Sequence, residues 1–176
     1  VGELRAGLRA ADCALFVIAA NEGVDEPTRA LWHECDEVGM PRAVVITKLD
    51  HARANYANAL TAAQAAFGEK VLPLYLPTAN GLVGLLSQNQ YDYRDGTRTV
   101  HPPDDTYTAE LGEHRGGLIE EIIEESEDES LMERYLGGEP IDEAVLIADL
   151  EKAVAHGSFF PVIPVCSGTG VGTVEL

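Results

Sequence analysis

The sequence predicts an α/β protein: a mostly parallel sheet with flanking helices, interrupted by an inserted acidic α+β sub-domain. Three observations lead there. Continuous apolar runs at 13–19, 43–46 and 160–165 show no polar alternation, the pattern of strands covered on both faces of a parallel sheet. Helical patterns follow the first two runs, so strand and helix alternate at both ends of the chain. Charge is concentrated: Asp104 to Glu151 holds 17 acids and two bases, whereas the rest holds 13 acids and 10 bases. A composition shift of that size marks a segment that folds apart from its host.

After the first run a helix is expected. Asp25 and Glu26 stand at its positive end, Pro27 in its first turn, apolar Ala30, Leu31 and Val38 along it, and Gly39 then Pro41 as stops. The run 43–46 is a buried strand. Residues 55–67 form an alanine-rich helix ended by Gly68, and 71–76 reads as a third strand. From Thr78 the elements shorten, and Asp95-Gly96 between the β-prone stretches 90–94 and 97–101 is a hairpin signal. Leu118, Ile119, Ile122 and Ile123 form an apolar stripe with glutamates opposite; 142–155 is a further helix, stopped by Gly157. The last run enters a glycine loop at 167–172. The expected division is a core over 1–77 and 158–176, with the sub-domain over 78–157.

A chain of 176 residues with 45% apolar content can bury a substantial core and is not a disordered tail. A formal charge of -18 repels free DNA and RNA, whose affinity rests on Lys and Arg neutralising phosphates. Cys13, Cys35 and Cys166 are odd in number and sit in apolar or helical settings, which fits reduced thiols better than a disulfide framework. The opening residues lack a secretory pattern and the longest apolar run is too short to cross a bilayer. A cytoplasmic protein without a membrane partner is expected.

Open parallel sheets collect ligands at the carboxyl ends of their strands. Two loops stand there: Thr47-Lys48-Leu49-Asp50 and Cys166-Ser167-Gly168. A carboxylate in that position accepts two parallel hydrogen bonds from guanine N1–H and the 2-amino group, whereas adenine has an acceptor at N1 and no 2-amino group. Asp50 is therefore a candidate base selector, a mismatch leaving a buried charge against an acceptor at about 1–3 kcal/mol. Lys48 can lay its stem over the ring with its ammonium in water, and the Gly168 amide can donate to O6. The competing account of each loop is a solvated turn. Gly168-Thr169-Gly170-Val171-Gly172 lacks the third glycine of a dinucleotide fingerprint. His33, Glu34, Cys35 and Asp36 point in different directions on a helix rather than at one metal. Cys166 has no histidine in sequence reach and reads as a small buried hydrophobe; Trp32 reads as a core anchor.

Five segments carry a resemblance. They are Ala11-Asp12-Cys13-Ala14, Glu22-Gly23-Val24-Asp25-Glu26-Pro27-Thr28, Thr47-Lys48-Leu49-Asp50, Glu133-Arg134-Tyr135-Leu136-Gly137-Gly138 and Val165-Cys166-Ser167-Gly168. In order and spacing, over essentially the whole chain, they resemble the GTP-binding domain of translational GTPases of the elongation factor G and elongation factor G-like kind. The resemblance implies a partial P-loop GTPase-type sheet, an insertion between the two loops, and GTP or GDP as ligand of the full-length parent. It implies magnesium held outside this chain, and the ribosome with its stalk protein as partner. It also implies guanine contacts from Thr47, Lys48, Asp50, Ser167 and Gly168: Asp50 as the specificity aspartate, Lys48 stacked on the base, Ser167 ordering the last loop, Gly168 meeting O6.

Thr47 stands where that family has Asn, so one amide contact is lost and affinity is expected to weaken by about 1 kcal/mol. The chain has no Gly-Lys followed by Ser or Thr, and Asp36 to Gly39 reads as a helix end rather than the metal-shell Asp-x-x-Gly. A fragment without turnover of its own is expected. Glutamates of the acidic helices, including Glu121, Glu124 and Glu125, are expected to dock a basic stalk protein. The alternative is an acidic interaction module that binds no nucleotide.

Overall fold

The computed structural model describes residues 6–8 and 10–176. Residues 1–5 and 9 of the expected core lie outside the described residues. In chain order the elements are β1 (Ala14–Ala19), α1 (Glu26–Glu37), β2 (Arg42–Thr47), α2 (Tyr56–Phe67), β3 (Val71–Pro73), β4 (Tyr75–Pro77), β5 (Gly81–Gly84), β6 (Gln90–Arg94), β7 (Thr97–His101), α3 (Asp105–Glu124), α4 (Ser130–Leu136), α5 (Glu143–His156) and β8 (Phe160–Pro164). They form a mixed α/β fold with two sheets, a parallel one in the order β1-β2-β8-β3 and an antiparallel one in the order β4-β5-β6-β7.

Helix starts follow their caps. Asp25 Oδ1 accepts from the Thr28 amide at 2.9 Å, Asn55 Oδ1 from Asn58 at 2.9 Å and Asp142 Oδ1 from Ala144 at 2.9 Å, each satisfying an amide the helix itself leaves unpaired. At the hairpin, Asp95 and Gly96 have φ of 50° and 74°, the left-handed pair a two-residue turn between twisted strands requires.

One face of the parallel sheet packs Phe16, Ile18, Val44, Ile46 and Val162 against α1 and α2. Trp32 anchors this core, stacked on Phe67 at 4.2 Å and edge-on to Phe160 at 4.9 Å. The Arg42 side chain, 1% exposed, lies 4.5 Å from both the Trp32 and Phe160 rings, donates to Trp32 O at 3.0 Å, and pairs with Asp36 at 2.7 Å. Asp36 thus braces α1 to β2. Two-sided cover holds for β2 and β8 but not for β1, where Leu15 and Val17 are 51% and 63% exposed. Among the described residues β1 stands at the end of the strand order, and its Phe16 and Ile18 side meets α1 and α2.

The single strand expected over 71–76 is two strands in different sheets. Leu74, between them, donates to Val162 O at 3.0 Å in one sheet and accepts from the Leu85 amide at 2.9 Å in the other. Periodicity cannot mark that change, because the chain stays apolar and extended through it. The antiparallel sheet then shares its own core with the helices: Leu76, Val83 and Leu85 pack with Ile119, Ile122, Leu131, Leu146, Leu150 and Phe159.

A charged bracket ties β3 to α3. Lys70 Nζ, just before β3, lies 2.5 Å from a carboxylate oxygen of Glu121 and 2.5 Å from one of Glu125. Lys70 is held well above the usual lysine range by its bonds to Glu121 and Glu125, and Glu125 is held below the usual glutamate range by Lys70 first and Ser158 second. A carboxyl lowered in the folded state stabilises above its unfolded pKa and loses that contribution as pH falls through the folded one. Lys70 is 40% exposed, so solvent screens the pair. Lys70→Met is expected to lower stability by about 1 kcal/mol at neutral pH and by less below pH about 4. Denaturant titrations at pH 7 and pH 3.5 check this; equal losses at both would contradict it.

Candidate functional site

The neighbouring strands β2 and β8, paired in register at Val44–Val162, Val45–Ile163 and Ile46–Pro164, end beside each other. The amide of Val165 continues the ladder by donating to Ile46 O at 2.8 Å. Loops 47–50 and 166–168, distant in sequence, therefore leave the sheet side by side. A β carbon built on Gly168 would lie 3.5 Å from Asp50 Oδ2. The two loops thus border one cleft.

Asp50 is exposed, and its carboxylate has no hydrogen-bond or ion-pair partner among the described residues. It lines a cavity of about 370 Å³ together with Tyr56, Thr78, Tyr93, Cys166 and Thr169. Lys48 takes a left-handed φ of 58°, and its Nζ reaches Glu22 Oε1 at 3.2 Å, a contact 52% and 64% exposed at its two ends. An exposed pair of this kind is weak, about 0–1 kcal/mol, so the stem can swing to another surface. Thr47 ends β2, and its carbonyl accepts from Ala20 at 2.8 Å.

In the last loop Ser167, Gly168 and Thr169 are exposed. The loop is closed by backbone bonds: Cys166 N donates to Val171 O at 2.8 Å and Gly170 N to Cys166 O at 2.9 Å. The Ser167 hydroxyl makes no hydrogen bond among the described residues, so in this state the loop is ordered by its backbone rather than by Ser167. Gly168 lacks a left-handed φ and has room for a methyl group, so its backbone does not demand glycine.

Sequence reasoning missed the floor of the site. Leu49 of one loop and Cys166 and Val171 of the other pack with Leu82 and Tyr91, on β5 and β6. The sub-domain's sheet thus supports both loops. Beyond the last loop, Glu175 accepts from the Tyr93 hydroxyl at 2.5 Å and Arg98 Nε at 2.9 Å. Desolvation, then the bond to Glu175, pushes Tyr93 up to about 12. One sequence signal was available: the alternation of tyrosines in β6, where Tyr91 and Tyr93 are flanked by the polar Gln90, Asp92 and Arg94.

The acidic residues fare differently from one another. Glu124 is exposed, whereas Glu121 and Glu125 are 19% and 21% exposed and turned onto Lys70. Among the described residues no three His, Cys, Asp or Glu side chains form a cation site, and no helix is long and apolar enough to cross a membrane. Cys35 and Cys166 are buried free thiols and Cys13 an exposed one.

A parallel sheet whose adjacent strands end in these two loops, with an antiparallel insertion between them, defines the GTPase-type α/β class. Within it, the chain belongs to the Elongation factor Tu GTP binding domain family, whose family model matches residues 1–176. It is 78% identical over 176 residues to the Elongation factor G-like protein of Mycobacterium tuberculosis (strain CDC 1551 / Oshkosh), covering 100% of this chain and 25% of that protein. It is 28% identical over 170 residues to the Elongation factor G of Mycoplasma genitalium, covering 92% of this chain and 24% of that protein. A crystal structure of a protein from Thermus thermophilus is similar with a TM-score of 0.86 at 30% identity, over 99% of this chain and 26% of that one. The chain spans about a quarter of the length of the relatives it matches.

Proposed function

We propose that this chain supplies the guanine-recognising loops of an elongation factor G-like protein that acts in translation in the cytoplasm. The observation that supports this best is the approach of Asp50 to Gly168, from loops on neighbouring strands. Asp50 accepts from guanine N1–H and the 2-amino group, and the Gly168 amide donates to O6. Lys48 leaves Glu22 to cover the ring plane with its stem. Thr47 offers one hydroxyl beside the base, and Ser167 a hydroxyl not engaged by the described residues. GTP or GDP is the ligand of the full-length parent, where magnesium, held outside this chain, neutralises phosphate charge when bound. No step of hydrolysis is assigned to the residues described. The test is nucleotide competition in the full-length protein before and after Asp50→Asn: guanine preference carried by Asp50 supports the reading, and equal binding of GDP and ADP by the unchanged protein ends it.

The acidic helices favour a second contact, with the ribosome through its stalk protein. Glu121 and Glu125 hold α3 in place through Lys70, while Glu124 and the neighbouring Glu120 present exposed charge to a partner. Reversing both exposed glutamates to Lys is expected to weaken binding of a purified basic stalk protein at least about threefold, with the difference shrinking as salt rises. Affinity indifferent to salt and to the reversal would remove the electrostatic reading. An acidic module that binds no nucleotide would keep this contact and show no base preference.

A further inference from the structure

Glu175 stands between Val174 and Leu176, which are 66% and 51% exposed, yet its own side chain is 2% exposed. A carboxylate is kept out of water only when its charge is paired and bonded. Both oxygens are used: Oε2 accepts from the Tyr93 hydroxyl on β6, Oε1 from Arg98 Nε on β7. The Arg98 guanidinium lies 4.5 Å from the centre of the Tyr91 ring, and Tyr91 packs with Cys166 and Val171 beneath the last loop.

The loop is therefore held at two ends by two different sheets. Its start is fixed by β8, through the bond from Val165 N to Ile46 O. Its far end is fixed by Glu175 to β6 and β7. Between these points the loop is held by its own backbone bonds, by hydroxyl bonds from Thr169 to Cys166 O at 3.4 Å and from Thr173 to Gly170 O at 2.7 Å, and by Val171 on its floor, while Ser167 to Thr169 are exposed. Removing the second anchor leaves a loop free to peel from its floor.

We propose that Glu175, Tyr93 and Arg98 form a clamp by which the inserted antiparallel sheet positions the loop 166–172, and so sets how long a guanine nucleotide stays bound. Glu175 and Arg98 stand outside the cavity that Asp50 lines, and Tyr93, which lines it, turns its hydroxyl to Glu175, so the three act as positioning residues. The ordering of the loop stands on the contacts above; the effect on nucleotide rests on the guanine reading.

The experiment uses the full-length protein with Glu175→Gln, Tyr93→Phe and the pair together. Amide hydrogen exchange is followed in peptides covering 165–173, and release of a fluorescent GDP analogue by chase. Glu175→Gln is expected to speed exchange there about tenfold and GDP release about five- to tenfold, with association changed less than about twofold. The preference for GDP over XDP should not move, because Asp50 is untouched. Tyr93→Phe should act in the same direction more weakly, and the double variant should fall short of the product of the two, as expected for one shared contact. Unchanged exchange at 165–173 in folded Glu175→Gln, or in Tyr93→Phe should the former fail to fold, overturns the clamp. Altered exchange with unaltered release overturns its control of residence time. If the unchanged protein lacks guanine preference, the proposed function fails, while exchange still decides the clamp.

Discussion

Asp50→Asn in the full-length protein is expected to weaken GDP binding about a hundredfold and to strengthen XDP binding by a similar factor. In the proposed guanine contact the carboxylate accepts two hydrogen bonds, each worth about 1.5–3 kcal/mol because the acceptor is charged. An amide keeps one acceptor and turns its NH₂ toward the 2-amino group, so a donor faces a donor. The combined loss is about 3 kcal/mol, and about 1.4 kcal/mol is a factor of ten. Xanthine carries a carbonyl at C2 beside N1–H, which suits that same amide. Competition of GDP and XDP against a fluorescent analogue measures both arms. A parallel loss of GDP and XDP would mean that Asp50 shapes the loop instead of reading the base. The present contacts argue against that, because its carboxylate holds no other described residue.

Sequence reasoning brought loops 47–50 and 166–168 to one sheet edge because each loop follows a run with a strong signal. Val44, Val45 and Ile46 are at most 4% exposed, and β8 is buried throughout. Continuous apolar runs of that kind identify central strands, and central strands put their trailing loops together. The helix starts expected near Asp25, Asn55 and Asp142 lie one residue before the observed ones because these side chains take a free helix amide as caps. The Asp95-Gly96 hairpin was legible because few residues tolerate two left-handed positions.

What escaped was contact between sheets. Nothing local distinguishes Leu74, which serves both ladders, from its neighbours. Nor does Glu175 differ on paper from an exposed acid, although Tyr93 and Arg98 bury it. Glu121 and Glu125 read with Glu124 as part of an acidic docking face, whereas Lys70, far away in sequence, pairs with both of them. In each case the deciding partner is long-range, and periodicity carries no information about it. At β1 the Phe16 and Ile18 side is covered as expected, while Leu15 and Val17 are exposed among the described residues.

The last loop supplies a graded test, because its three glycines meet different surroundings. At Gly168 an added methyl group finds only Asp50 Oδ2, at an ordinary 3.5 Å, with no left-handed φ to maintain. At Gly170 the φ is +81° and the nearest atom is Tyr93 Cδ1 at 4.0 Å, so the penalty is conformational. At Gly172 the φ is +75° and the methyl group would stand 2.1 Å from Pro164 O and 3.2 Å from Val165 Cα. Those are backbone atoms at the end of β8, with no rotamer to turn away. Gly168→Ala is thus expected to change stability by less than about 0.5 kcal/mol and Gly170→Ala to cost about 1 kcal/mol. Gly172→Ala should cost about 3 kcal/mol or more, because either the loop or β8 must move. Denaturant unfolding of the three variants gives the ranking. If Gly170→Ala and Gly172→Ala proved equal, left-handed φ alone would govern the loop, and its close seating on the end of β8 would carry no weight in holding the turn at 167–169.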